Sequence, residues 1–192
     1  MKMISVLYLF LFSGFFIDGA KAQGLFDFGG EATTQYNRGK LEQDSGNFKE
    51  AVRWYKKAIE TEPRHYESYN NIGFIYGSNG YHRKAVEWYK KSIQVNPKFV
   101  QGLSNLGASY IELGKEKLAV DVLKKARVLD PESQLVANNY ATALRGFGRI
   151  EESIAILKSI KNEDDALLDD PAIQAQQYKI AGKFELAEKA YR

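Results

Sequence analysis

The sequence predicts an all-α solenoid built from repeated helical hairpins, and three observations predict it. The first is a strict period of 34 residues. Ile72-Gly73, Tyr76, Gly80, Ala85, Tyr89 and Pro97 return as Leu106-Gly107, Tyr110, Gly114, Ala119, Leu123 and Pro131. One period earlier stand Gly39, Gly46, Ala51, Tyr55, Ala58 and Pro63. A period of this length marks a repeat array. The second is that each copy holds two amphipathic runs with apolar residues at helical spacing. The third is punctuation: a glycine splits the two runs and a proline follows the second.

Each recurring residue has a packing reason. Gly73 and Ala85 mark where two antiparallel helices approach closely, and Tyr76 and Tyr89 fill the wider space beside them. Gly80 supplies a turn, where positive φ costs glycine little. Pro97 ends the second helix, lacking an N–H and disfavouring helix in the residue before it. A single hairpin cannot cover its own apolar face, whereas stacked hairpins share a continuous core.

These residues resemble the tetratricopeptide repeat (TPR) family, whose signature places Leu-Gly, Tyr, Ala and Pro at the same offsets. The family's opening Trp is replaced by Tyr69 in one copy and Leu103 in the next. Copies beginning at Ala32, Tyr66, Val100, Gln134 and Leu168 keep one frame, giving about four and a half repeats over 32–192. The resemblance implies a right-handed superhelix. Its structural signature comprises Gly39, Ala51, Pro63, Gly73, Tyr76, Ala85, Pro97, Gly107, Tyr110, Ala119 and Pro131. The fourth copy departs from it, with Ala141 at the Gly site and Ser153 at the Ala site. The fifth keeps Tyr178, Gly182, Ala187 and Tyr191.

The expected helices run near 32–45, 48–61, 66–79, 82–95, 100–113, 116–129, 134–147, 150–161, 171–181 and 184–191. In the first of them Gln35, Arg38 and Glu42 take positions usually apolar, as suits a terminal copy with one face in water. Asp169 or Asp170 is placed to cap the helix that Pro171 opens.

Residues 1–22 read as a signal peptide. Lys2 precedes an apolar run from Ile4 to Ile17, and Ala20-Lys21-Ala22 offers a small-x-small cleavage site before Gln23. The run is shorter than the roughly 20 residues of a spanning helix. A bacterial-type exported product follows as the expectation, periplasmic or secreted, with no transmembrane segment after cleavage. Residues 23–31 read as a flexible, glycine-rich leader.

Composition narrows the function classes. Cysteine is absent, which removes disulfides and thiol chemistry. A net charge of +3 gives no electrostatic case for nucleic acid. His65 and His82 lack ligand partners at helical spacing, so no metal is expected. No phosphate loop or nucleophile elbow occurs, and no nucleophile has an orienting base. The expectation is a non-enzyme without cofactors.

The informative constellation is Asn37, Asn71, Asn105 and Asn139, spaced by 34 residues at the sixth position of each copy. An amide both donates and accepts, so a row of them can pair with another backbone. The row looks like the asparagine ladder in the TPR region of O-linked N-acetylglucosamine transferases, which implies an extended peptide held on the concave face. Neighbours expected on that face are Tyr36, Lys40, Asn70, Phe74, Gln101, Ala108, Asn138, Thr142 and Arg145. Phe74 opposite the smaller Ala108 predicts an apolar notch. The carboxylate clamp of TPR domains that bind chaperone tails is matched only at Asn71; Tyr36, Lys40, Gln101 and Asn105 occupy the other positions.

Two recurring surface motifs read as structural. Trp54-Tyr55 and Trp88-Tyr89 are expected to pack between helices. The pairs Lys56-Lys57, Lys90-Lys91 and Lys124-Lys125 read as a solvated face, supported by Glu87 to Lys91 and Asp121 to Lys125 at acid-first spacing of four. The resulting expectation is an adaptor that binds a protein or peptide partner. The alternative is self-association into a homo-oligomer through Phe184, Leu186, Ala187, Ala190 and Tyr191 of the unfinished last copy.

Overall fold

The computed structural model describes residues 30–160 and, beyond them, 171, 175, 178, 179 and 184–190. The residues of the signal peptide and the proposed caps Asp169 and Asp170 lie outside that set, as does Tyr191. Among the described residues the chain is all helical. Four hairpins pair α1 (Gly30–Asp44) with α2 (Phe48–Thr61), α3 (Tyr66–Ser78) with α4 (His82–Val95), α5 (Val100–Glu112) with α6 (Glu116–Leu129), and α7 (Gln134–Gly146) with α8 (Ile150–Lys158). A further helix, α9, spans Phe184–Ala190. One expected boundary moves: α1 begins at Gly30, so Gly30 and Glu31 belong to the helix and not to a leader.

The repeat signature works as steric logic. Gly46, Gly80, Gly114 and Gly148 close the four hairpins with φ of 79°, 78°, 62° and 82°. That is the left-handed region open to glycine. A Cβ added to Gly39 would come within 2.6 Å of the Tyr55 ring, and one on Gly73 within 2.8 Å of the Tyr89 ring. Leu123 crowds Gly107 in the same way. The fourth repeat solves the contact differently. Ser153, where the other copies have alanine, is buried and donates its hydroxyl to the Ala141 carbonyl at 2.8 Å. The hydroxyl is thus satisfied within the hairpin, as a buried polar group requires.

Each second helix packs on the first helix of the next repeat, α2 on α3, α4 on α5 and α6 on α7, so the hairpins form one continuous stack. First helices also touch one another directly, α5 against α7 and α3 against α5, and among the described residues no contact of that extent joins consecutive second helices. The first helices therefore lie on the inner side of the curve. The largest core cluster holds Ala85, Tyr89, Leu106, Tyr110, Ala119, Leu123 and Leu144, and a smaller one at the first junction holds Ala51, Tyr55, Ile72 and Ile75.

Trp88 packs as expected, but the lysine-rich face is held differently. Trp88 lies at the edge of the first-junction cluster, with its ring 6.1 Å from that of Tyr69. Lys57 sits 4.2 Å above Trp54, and Lys91 sits 4.4 Å above Trp88. Neither Glu87–Lys91 nor Asp121–Lys125 is among the ion pairs closer than 4 Å within the described residues. At Lys91 the ring quadrupole three residues earlier captures the ammonium instead of the carboxylate four residues earlier.

Candidate functional site

The site is built on the inner face from α3, α4 and α5. The asparagines of α3, α5 and α7 point toward the preceding first helix. Asn71 Nδ2 donates to the hydroxyls of Tyr55 at 3.2 Å and Tyr36 at 3.4 Å. Asn105 Nδ2 donates to Asn70 Oδ1 at 3.0 Å, and Asn139 Nδ2 to Ser104 Oγ at 3.0 Å. Tyr36, Asn70 and Ser104 all occupy the fifth position of their copies. The row is therefore an inter-repeat staple in which each amide reaches back 35 residues.

This arrangement corrects two expectations. Asn70 is only 2% exposed, and its amide lies between Asn71 and Asn105, so it is not open to a ligand. The Asn71 amide is engaged too, its Nδ2 donating to both tyrosines and its Oδ1 accepting from Asn70. At Asn105 and Asn139 one Nδ2 hydrogen is used within the array, and Oδ1 and the second hydrogen are left for a ligand. Asn37 lies on the first described helix, α1, and is exposed.

The other expected neighbours divide by accessibility. Lys40, Gln101 and Asn138 are exposed, while Tyr36, Ala108, Thr142 and Arg145 are half-buried. Tyr36 is held by rings on two sides, Tyr55 at 5.7 Å and His65 at 4.9 Å, and the Lys40 amine lies 6.0 Å from its ring centre. Thr142 is tied to its own helix through the Asn138 carbonyl at 2.9 Å.

Phe74 and Ala108 do face one cleft. It has a volume of about 190 Å³, and Phe74, Gly77, Ser78, Asn105, Ala108 and Glu112 are among its lining residues. Its origin is visible in the period. The position reads Lys40, Phe74, Ala108 and Thr142 in successive copies, and the step from a ring to a methyl opens the space. Phe74 stays 46% exposed at its edge. Glu112 lies two helical turns from Asn105, about 10 Å along the axis. An amide acceptor, an apolar wall and a carboxylate thus follow one another along α5. His82, Tyr89, Ser109 and Glu112 are lining residues that the sequence reading missed. For Glu112 the available signal was its place seven residues after Asn105, on the same helix face.

Electrostatics at the base of the row follow burial. Loss of water around the Tyr55 ring pushes its hydroxyl up to about 12, and the Asn71 hydrogen bond acts weakly the other way. Desolvation raises Tyr89 as well. Both stay neutral at physiological pH, and Tyr55 donates to Gln43 Oε1 at 2.9 Å while accepting from Asn71. Among the described residues no cluster of three metal-ligating side chains occurs, and no helix is long and apolar enough to cross a membrane.

The fold is that of a tetratricopeptide-repeat solenoid. Residues 39–80 match a family model described as TPR repeat, and residues 66–99 match one described as tetratricopeptide repeat. Similar solved structures include that of MamA, at 19% identity over 83% of this chain and 87% of that one, with a TM-score of 0.69. YrrB, described as a TPR protein with an unusual peptide-binding site, is similar at 19% identity and a TM-score of 0.70, covering 83% of this chain and 82% of that one. The first TPR of Spaghetti (RPAP3), solved bound to the HSP90 peptide SRMEEVD, is similar at 18% identity and a TM-score of 0.58. That match covers 60% of this chain and 92% of that one. No curated protein sequence matches the chain.

Proposed function

We infer that the protein is a non-catalytic adaptor that holds an extended segment of a partner protein along the inner face of its solenoid. The observation that carries this reading is the Phe74–Ala108 cleft, with Asn105 in its wall. An apolar side chain of the guest enters the cleft, and its backbone N–H reaches Asn105 Oδ1. Glu112 favours a basic residue about three positions further along the guest, since an extended chain advances about 3.3 Å per residue. Solved structures of the same fold include peptide-binding examples, which supports a peptide as the guest.

Magnitudes shape the mode of binding. One accepted hydrogen bond at each of Asn105 and Asn139 contributes about 0.5–1.5 kcal/mol net. Burying one leucine or phenylalanine of the guest contributes about 1.5–3 kcal/mol. Association costs about 4–15 kcal/mol. A single cleft therefore gives weak capture, and strong binding needs further contacts along the face. Lys40 and Gln101 stand where a carboxylate clamp needs other residues, so the guest is read by its middle and not by a C-terminal carboxylate.

The place of action belongs to the same proposal: export by the signal peptide of residues 1–22, with the mature chain beginning at Gln23. N-terminal sequencing of the protein from its producing cell tests that part, and an intact Met1 would reject it. For the binding mode, peptides are selected from a display library on the full mature chain and then rebound to Ala108→Leu. That change fills the cleft and should lower affinity at least tenfold with an unchanged circular dichroism spectrum. Undiminished binding of every selected peptide would refute the mode.

A further inference from the structure

A second recess lies where the second helix of the first repeat meets the first helix of the next, and it shares no residue with the cleft. Phe48, Lys49 and Val52 of α2 form one wall. Ile75, Tyr76 and Asn79 at the end of α3, with Tyr81 of the following turn, form the other. The volume is about 220 Å³, room for one bulky side chain.

Its origin is one departure from the repeat. The residue that ends the first helix is Asn79 in this copy, Leu113 in the next and Phe147 in the one after. Leu113 packs on the core cluster that contains Val86 and Tyr110, which stand one period after Val52 and Tyr76. Asn79 instead turns its amide onto the Ile75 carbonyl at 2.7 Å. An amide folded onto its own helix leaves open the volume that a leucine takes one period later. Two aromatic residues at the rim remain in water, Phe48 at 43% exposure and Tyr81 at 58%.

Lysines flank the recess on both sides. The Lys84 amine lies 5.5 Å from the ring centres of both Tyr76 and Tyr81, and Lys49 lines the opposite wall. Among the described residues no carboxylate lines the recess. The Lys84 cation held over two aromatic faces, together with Lys49, keeps the rim positive while the floor is apolar.

We propose that this recess is a docking site for an acidic segment of a partner protein, one bulky apolar side chain entering the pocket between flanking carboxylates. The apolar group replaces water against Val52, Ile75 and Tyr76, where burial of apolar area drives association. The carboxylates meet Lys49 and Lys84 at the rim, which gives the site its preference for acidic over basic sequences. The inner-face cleft carries Glu112 and prefers the opposite charge, so the two sites sort their guests.

The test uses the full mature chain and fluorescence polarisation with three labelled hexapeptides. One is Glu-Asp-Leu-Phe-Asp-Glu, one has lysine at every acidic position, and one has Gly-Ser in place of Leu-Phe. The acidic probe should bind at least tenfold more tightly than either control, and its binding should weaken with added salt. Asn79→Leu inserts the side chain the next repeat uses and should cut affinity at least tenfold, with melting temperature unchanged or raised. Lys84→Glu should do the same through charge alone. Ala108→Leu should leave the acidic probe unaffected, which separates this site from the inner-face cleft. Absence of binding, equal binding of the lysine probe, wild-type affinity in both Asn79→Leu and Lys84→Glu, or loss confined to Ala108→Leu would each overturn the proposal.

Discussion

At the first repeat junction Tyr36, Tyr55 and Asn71 meet through hydroxyls and an amide, with Gln43 closing the network. At the second, Val86, Leu106 and Tyr110 pack in the main core cluster with Leu113 against them, and Leu113 takes the place that Asn79 holds at the first. The glycine site varies along the array as well: Gly39 and Gly73 of the first two repeats face tyrosine rings, and Gly107 of the third faces a leucine. The backbone needs only a flat or branched body against each glycine, so the chemistry of the filler is free to vary. The polar filling leaves an open recess beside Asn79, while the apolar filling closes the equivalent space with Leu113. In an array whose stability is a sum of local terms, binding features and packing features can thus sit on neighbouring junctions.

The comparison breaks most severely at its apolar side. Leu123→Ala is expected to cost about 2–5 kcal/mol, because it empties a fully buried site with little room to collapse. Urea denaturation measures the loss, and hydrogen exchange should place it in α5 and α6 more than in α1 and α2. A smaller but distinctive effect belongs to the first junction. The folded Tyr55 hydroxyl titrates near 12 against about 10 when unfolded. The unfolded chain therefore releases its proton first, and stability falls as pH rises from 10 to 12, by up to roughly 3 kcal/mol. The raised Tyr89 adds to the same slope. Tyr55→Phe should flatten the loss measured by denaturation between pH 9 and 11, and Leu123→Ala should not.

Asn71→Ala comes next, at about 1–3 kcal/mol, since it removes a partner of the buried Tyr55 hydroxyl. The same change at Asn139, whose partner is the Ser104 hydroxyl, should cost toward the lower end of that range. The smallest effect separates two readings of the lysine face. Lys91→Gln should cost at most about 1 kcal/mol, as a partly solvated cation–ring contact does. Glu87→Gln should leave the melting temperature unchanged, because the Lys91 ammonium sits over Trp88.

Most of the fold was legible. The 34-residue period set the hairpins, and glycine and proline set their ends: helices expected at 48–61, 82–95 and 116–129 are Phe48–Thr61, His82–Val95 and Glu116–Leu129. The last helix of the fourth hairpin ends earlier than expected, at Lys158, where no proline marks its stop. The asparagine row was legible as a period, but its partners were not. Whether an amide faces a guest or the preceding repeat depends on the residue one position and one copy earlier, as at Tyr36, Asn70 and Ser104. That same relation buries Asn70. The first-junction recess left only a faint trace, Asn79 in a position that reads Leu113 and Phe147 elsewhere. The cleft was readable because a large and a small residue, Phe74 and Ala108, alternate at one site.

The central claim is that the inner face between α3 and α5 holds a partner polypeptide. Placing a photo-crosslinking amino acid at position 108, and separately at the exposed position 118 on α6, and irradiating the cells that make the protein tests it directly. The account predicts a discrete adduct with a partner protein from position 108 and none from position 118. Adducts from position 118 alone, or the same adducts from both positions, would contradict it.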